Sequence, residues 1–216
     1  MSDVTRSRTC TFLRGAFQDN LLVPAVRAYC TPFRTIRPDS LDSLSGPLVI
    51  VANHASHLDT PALLAALPPG LRHRTAVAAA ADYFYRSRLL GAACSLGVGT
   101  FAFPRQGHTG TQRAAELLAE GWNVVLFPQG TRGADGRLPF RLGVGHLLAK
   151  SGVTVLPIGI LGTRELWPRG RAFPRRGPLE IHIGDPWRPD AGLSPREIVE
   201  ELEHRVAALT RKEVFA

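Results

Sequence analysis

Between residues 47 and 160, short β-branched and apolar runs alternate with stretches of helical periodicity, and this alternation constrains the fold more than any other feature of the chain. Pro47–Ala52, Asn123–Phe127 and Val153–Ile160 are apolar almost throughout, as strands buried on both faces must be. Residues 76–81 and 98–103 are weaker strand candidates. Helices are predicted near 60–67, 82–96, 109–120 and 141–151. Further on, Leu179–Ile183 alternates as a late strand. Ser194-Pro195-Arg196-Glu197 then sets Ser at the N-cap, Pro at N1 and Glu at N3 of a helix with Ile198, Leu202, Val206 and Leu209 on one face. Strands interleaved with helices in this way predict an α/β fold, a single domain with a mostly parallel or mixed central sheet flanked by helices. A length of 216 residues suits one domain.

Residues 1–35 are set apart as an N-terminal helical segment, ahead of a domain over 36–216. Phe12, Leu13, Phe17, Leu21, Leu22, Val26 and Tyr29 recur at helical spacing among Arg6, Arg8, Arg14 and Arg27, and Pro24 is predicted to kink or divide the helix. Two placements suit such a segment. It can lie in a bilayer interface, apolar side down and Arg toward lipid phosphates, or it can pack on the domain.

The formal net charge is +8, and of the 26 Lys plus Arg only Lys150 and Lys212 are Lys. Guanidinium groups fork onto phosphate and carboxylate oxygens, so anionic partners are expected: phosphorylated ligands, membranes or nucleic acid. The longest uncharged apolar stretch, Leu89–Phe103, falls short of the roughly 18 residues a spanning helix needs and contains glycines, so no transmembrane helix is predicted. No secretory signal is predicted either. Cys10, Cys30 and Cys94, odd in number and without metal-type spacing, point to a reducing compartment, the cytoplasm.

Polar groups with chemical potential follow the strands. After the first run comes Asn53-His54-Ala55-Ser56-His57-Leu58-Asp59, at the carboxyl edge of a parallel strand where open α/β sheets bind ligands. A turn leading into a helix can bring Asp59 to Nδ1 of His54, leaving Nε2 to take a proton. The alternative is a capping Asp beside an exposed His. A metal set of His54, His57 and Asp59 lacks a second ligand cluster, and no metal is predicted. Gly97 and Gly99 imitate a dinucleotide fingerprint, but Phe103-Pro104 follows where a helix should open. That run ends at Arg105, a candidate anion ligand. The strand at 123–127 leads into Pro128-Gln129-Gly130-Thr131-Arg132-Gly133, a glycine turn whose N–H groups can cradle a phosphate together with Arg132.

In these blocks the chain resembles the glycerolipid acyltransferases, typified by 1-acylglycerol-3-phosphate (lysophosphatidic acid) acyltransferase. The Asn-His-x-x-x-x-Asp block is met by Asn53, His54 and Asp59, and the apolar run ending in Arg by Gly99 to Arg105. Phe-Pro-Glu-Gly-Thr-Arg is met at Phe127, Pro128, Gly130, Thr131 and Arg132, and the Val-x-Pro-Ile strand at Val155, Pro157 and Ile158. Order and spacing hold over residues 53–160. Gln129 departs from the pattern by standing where Glu is usual, which keeps an acceptor oxygen and loses a charge. The departure bears on the acyl acceptor.

The resemblance implies transfer of a fatty acyl group from acyl-CoA or acyl-carrier protein to the hydroxyl of a lysophospholipid, 1-acylglycerol-3-phosphate giving phosphatidic acid. His54 would be the general base assisted by Asp59, and Arg105, Gly130, Thr131 and Arg132 would bind the acceptor's phosphate. No cofactor beyond the thioester substrate is implied. The alternatives are a different lysolipid acceptor or a non-enzymatic basic protein binding anions or nucleic acid. Against the last, no recognisable nucleic-acid module is present, and the polar groups gather at strand ends. Arg164, Trp167, Arg169, Arg171, Phe173, Arg175 and Arg176 form a basic, aromatic loop suited to an anionic leaflet, or to water as a solvated loop. A peripheral enzyme on the cytoplasmic face of a membrane is therefore expected.

Overall fold

A computed structural model describes residues 7–80, 95–104, 109–131, 139–168, 170–171 and 173–211. Its centre is a seven-stranded sheet: β1 (Phe33–Ile36), β2 (Leu48–Ala52), β3 (Thr75–Ala80), β4 (Thr100–Phe103), β5 (Asn123–Leu126), β6 (Thr154–Leu161) and β7 (Leu179–Ile183). Across the sheet the order is β1-β7-β6-β2-β5-β3-β4. From β6 to β4 all neighbours are parallel, whereas β7 runs antiparallel to β6 and carries β1 parallel to itself. The carboxyl ends of β2, β5 and β6 thus share one edge. All five residues of β2 are buried, as a central strand covered on both faces requires.

Successive residues of β2 serve two cores. Leu48, Ile50 and Ala52 face one layer with α3 (Asp59–Ala66), while Val49 and Val51 face another with α4 (Thr109–Ala119), α5 (Leu142–Ser151) and α6 (Pro195–Thr210). The predicted capping box at Ser194 is present: Glu197 N–H donates to Ser194 Oγ, and Ser194 N–H to Glu197 Oε2 at 2.8 Å. Most of the helix predicted at 82–96 lies outside the described residues.

The N-terminal segment is one continuous run of helix, α1 (Arg8–Phe17), a π turn (Gln18–Leu22) and α2 (Val23–Tyr29). Pro24 has no N–H and its ring crowds the carbonyl of Asn20, four residues back, so the widened turn falls where an α-helical ladder is obstructed. The helical part ends at Tyr29. The predicted boundary at residue 35 therefore falls inside β1, which pairs with β7 and belongs to the sheet.

The first half of the segment packs on the domain with an inverted face, and the second half turns Leu22, Val23 and Val26 inward. Arg14, Gln18 and Val26 are buried, whereas Phe12 (74%), Leu13 (60%) and Leu21 (58%) are exposed. Arg14, which the bilayer placement would turn toward lipid phosphates, lies with Cζ 5.3 Å above the Trp122 ring, as packing on the domain allows, and burial lowers its pKa. Gln18 Nε2 donates to Gly97 O, and Asp19 pairs with Arg72 and His73. No described helix is long and apolar enough to cross a membrane.

Candidate active site

β2 stops at Ala52, and the next residue clamps the loop that follows. Asn53 Nδ2 donates to Ile160 O at 2.9 Å, and Ile160 N–H donates to Asn53 Oδ1 at 2.7 Å. The side-chain amide thus makes the two bonds that a neighbouring strand would make, and fixes the start of the loop against β6. His54 N–H then donates to Gln129 Oε1 at 2.6 Å, joining the loop to the turn after β5.

With its backbone held at both points, His54 turns its ring onto Phe127, centroids 4.4 Å apart at 26°. Its Nδ1 lies 2.8 Å from Asp59 Oδ2. Asp59 opens α3 and is fully buried. Oδ2 also accepts the N–H groups of Ala55 at 2.7 Å and Ser56 at 2.8 Å, and Oδ1 accepts the hydroxyl of Thr163. An oxygen already receiving two backbone hydrogens takes a third from the imidazole, so Nδ1–H is the donor and Nε2 carries the lone pair. The His54 side chain is 21% exposed, against none for its carboxylate partner. This is an imidazole oriented by a carboxyl group that is itself built into the loop. A surface cap beside an unconnected His would look different.

The turn after β5 is closed by Gly130 N–H donating to Phe127 O at 3.0 Å, with Gly130 at φ +69°. That donor is engaged within the turn, so the backbone around Gly130 offers one fewer N–H to an anion than its sequence suggests. A Cβ at Gly130 would lie 2.6 Å from Nε of Arg141, so only glycine lets that guanidinium cross the turn. Thr131 is exposed beside it. Arg105 and Arg132, the predicted phosphate ligands, lie outside the described residues.

Gln129 is buried, and its oxygen serves the His54 backbone. That bond needs an acceptor and no charge, so Gln serves it as well as the Glu usual in the block. His57 tilts against Trp167, centroids 5.7 Å apart, instead of joining His54 and Asp59. Among the described residues no group of three or more His, Cys, Asp or Glu is placed to hold a metal ion.

Three contributors escaped the sequence reading: Thr163 on Asp59, Phe127 under the imidazole, and Arg141 over Gly130. A signal for Thr163 existed, since Gly162-Thr163 directly follows the β6 run at the same sheet edge. The basic loop is tied in at both sides. Ser56 Oγ donates to Trp167 O, Tyr29 Oη donates to Pro174 O, and Arg176 Cζ lies 5.6 Å from the Tyr29 ring.

A family model described as Acyltransferase matches residues 32–161. A chloroplastic 1-acyl-sn-glycerol-3-phosphate acyltransferase of Brassica napus is 35% identical over 135 residues, covering 61% of this chain and 38% of the relative. One from Arabidopsis thaliana is 34% identical over 147 residues, covering 64% and 39%. The chain therefore spans less than two fifths of the length of these curated relatives. The crystal structure of the 1-acyl-sn-glycerophosphate acyltransferase PlsC from Thermotoga maritima aligns over 98% of this chain and 84% of that one, with a TM-score of 0.75 at 22% identity, a likeness of fold.

Proposed function

The chain belongs to the Acyltransferase family, and from that premise we propose that it transfers a fatty acyl group from an acyl thioester to the free hydroxyl of a lysophospholipid, 1-acylglycerol-3-phosphate giving phosphatidic acid. The observation that carries this reading is the 2.8 Å contact of His54 Nδ1 with a buried Asp59 that also accepts from Ala55, Ser56 and Thr163.

In the proposed reaction His54 Nε2 removes the acceptor's hydroxyl proton as that oxygen attacks the thioester carbonyl. The new C–O bond forms and the carbonyl π electrons move to oxygen. Collapse breaks the C–S bond, and the departing thiolate takes the proton back from the imidazolium. Ester and thiol are the products, and neither a covalent enzyme intermediate nor a cofactor is needed. Asp59 lowers the energy of the imidazolium that exists between the two proton transfers. We assign the acceptor's phosphate to Arg105, Thr131 and Arg132, in keeping with the family blocks they occupy, while Gly130, whose N–H is bonded to Phe127 O, shapes the turn that presents Thr131. Gln129 supports the same reaction, since its oxygen already holds the His54 loop.

The acceptor is a bilayer lipid, so the enzyme works at a membrane surface, and we place it there as a peripheral protein on the cytoplasmic face. The exposed Phe12, Leu13 and Leu21 of the N-terminal segment supply apolar contact, and the loop around Phe173, itself 78% exposed, supplies Arg164, Arg171, Arg175 and Arg176.

Thiol release from palmitoyl-CoA in the presence of lysophosphatidate tests the reading. General-base help is worth about 10²- to 10⁴-fold, so His54→Ala is expected to lose activity in that range. Full activity in that variant, or a parent enzyme that releases no thiol with any lysophospholipid, overturns it.

A further inference from the structure

Asp59 opens α3, yet only one of its two carboxylate oxygens is held by the loop that carries His54. Oδ2 receives the N–H groups of Ala55 and Ser56 and the Nδ1 hydrogen of His54. Among the described residues the donor to Oδ1 is the hydroxyl of Thr163, 104 positions along the chain. Asp59 is fully buried and Thr163 is 1% exposed, so bulk water does not stand in for that hydroxyl.

A particular piece of backbone brings Thr163 to the carboxylate. β6 ends at Leu161, Gly162 turns at φ +93°, and Thr163 opens a four-residue helix, Thr163–Leu166. A Cβ at Gly162 would lie 2.6 Å from Pro178 O, so the reversal depends on glycine. A threonine hydroxyl commonly bonds neighbouring backbone of its own segment. This one is committed to another element instead.

The far end of the same helix is tied to the same loop. Ser56 Oγ donates to Trp167 O at 2.8 Å, while Ser56 N–H donates to Asp59 Oδ2. Asp59, Thr163, Trp167 and Ser56 thus close a ring of hydrogen bonds and helix backbone around the carboxylate, and Leu166 within that ring is buried in the core. Without Thr163, Oδ1 would be a buried acceptor with no donor, which favours rotation of the group about Cβ–Cγ and away from the imidazole. The plane of the carboxylate, and the direction in which it receives Nδ1–H, are set from the Thr163 side.

Resting on the acyl-transfer reading above, we propose that Thr163 is a positioning residue of the reaction. It acts through Asp59: its hydroxyl holds the carboxylate plane so that Oδ2 meets Nδ1–H and His54 presents Nε2 to the acceptor's hydroxyl. It touches neither substrate and moves no proton of its own.

Thr163→Val keeps the shape of the side chain and removes the hydroxyl, whereas Thr163→Ser keeps the hydroxyl. Thr75→Val is the control, since it removes an equally buried hydroxyl, bonded to Leu71 O at 2.8 Å, from the amino end of β3 at the opposite edge of the sheet. Thiol release from palmitoyl-CoA with lysophosphatidate gives kcat and KM. The proton resonance of His54 Nδ1–H, assigned by its loss in His54→Ala, reports the bond to Asp59 without turnover. Thr163→Val is expected to lower kcat about tenfold or more with both KM values within about twofold of the parent, because a hydrogen bond to a charged group is lost from the orienting side chain and none from the substrates. The Nδ1 proton should move upfield or broaden beyond detection. Thr163→Ser should recover most of the rate and the resonance, and Thr75→Val should change neither. Should circular dichroism show that Thr163→Val does not fold, Thr163→Ala carries the same expectation. Unchanged kcat in Thr163→Val, a loss confined to KM, an unmoved proton, equal losses in Thr163→Val and Thr163→Ser, or an equal loss in Thr75→Val overturns the assignment. A parent whose Nδ1 proton responds to Thr163→Val but which releases no thiol contradicts the acyl-transfer reading alone. A parent that turns over, with Thr163→Val matching its rate, contradicts the positioning role alone.

Discussion

Replacing Asp59 by Asn isolates the charge in the candidate pair, because the loop dictates how the amide must sit. The position of Oδ2 accepts two backbone N–H groups, from Ala55 and Ser56, and an NH2 group there would face two donors with nothing to give them. The amide oxygen therefore takes the Oδ2 place, continues to accept from His54 Nδ1, and preserves the tautomer. The NH2 group falls where Oδ1 was and donates to Thr163 Oγ, whose own hydrogen must turn elsewhere. What disappears is the attraction between a carboxylate and the imidazolium formed during transfer. With Nδ1 and Oδ2 2.8 Å apart, the charge centres are about 4 Å apart, which at an effective dielectric of about 20 amounts to about 4 kcal/mol for a full charge. At about 1.4 kcal/mol per tenfold, and with the imidazole only partly protonated in the transition state, kcat is expected to fall by about 10²- to 10³-fold. Thiol release at saturating lysophosphatidate and palmitoyl-CoA measures this, with near-UV circular dichroism to show that the fold persists. In a His54→Ala background the same Asp59→Asn change should have almost no effect on rate. A loss below fivefold, or an equal loss in both backgrounds, refutes the argument that Asp59 acts through the imidazolium.

Gln129→Glu keeps the oxygen that holds His54 N–H and should retain activity within a few fold, whereas Gln129→Leu strands a partly buried donor at about 1–3 kcal/mol and should lower kcat at least tenfold. Asn53→Asp replaces the amide donor to Ile160 O by a second oxygen, so the urea midpoint should fall by an amount equivalent to about 1–3 kcal/mol, with Asn53→Gln no better because its amide lies one methylene too far. At Asp19 burial raises the carboxyl pKa, but hydrogen bonds from His73 and Arg72 outweigh it and hold the value below the ordinary one. Its contribution is present above the unfolded value of about 3.9 and is lost as pH falls through the depressed folded value, so the stability gap between parent and Asp19→Asn should close in that acid range. A gap independent of pH would remove the ion pair from the account. Phe12→Asp with Leu13→Asp should abolish sedimentation with anionic phospholipid vesicles while leaving thiol release on a short-chain dispersed acceptor intact, and unchanged sedimentation would take the exposed face of α1 out of membrane docking.

Much of this was legible in the residues themselves. The runs at 48–52, 123–126 and 154–161 are strands because short sequence that is apolar almost throughout and rich in β-branched residues suits a twice-covered sheet, and the capping box at Ser194 is a local exchange of two hydrogen bonds. His54 and Asp59 are five apart, so one turn brings them together and their spacing in the chain is informative. The inverted N-terminal face was not legible. Periodicity shows that Leu13, Phe17 and Leu21 share a side of the helix, but only the position of Trp122, Gly97 and Arg72 shows that the polar side packs inward.

The support of the site divides in the same way. Which side chains carry chemistry, and that each follows a strand, is a property of local sequence, because strand ends are marked by where apolar runs stop. Asn53 meeting Ile160, Gln129 meeting His54 and Thr163 meeting Asp59 join residues 107, 75 and 104 positions apart. Those contacts exist only because β2 lies between β5 and β6, and strand order is a collective result of burying both faces of the sheet that no single segment encodes.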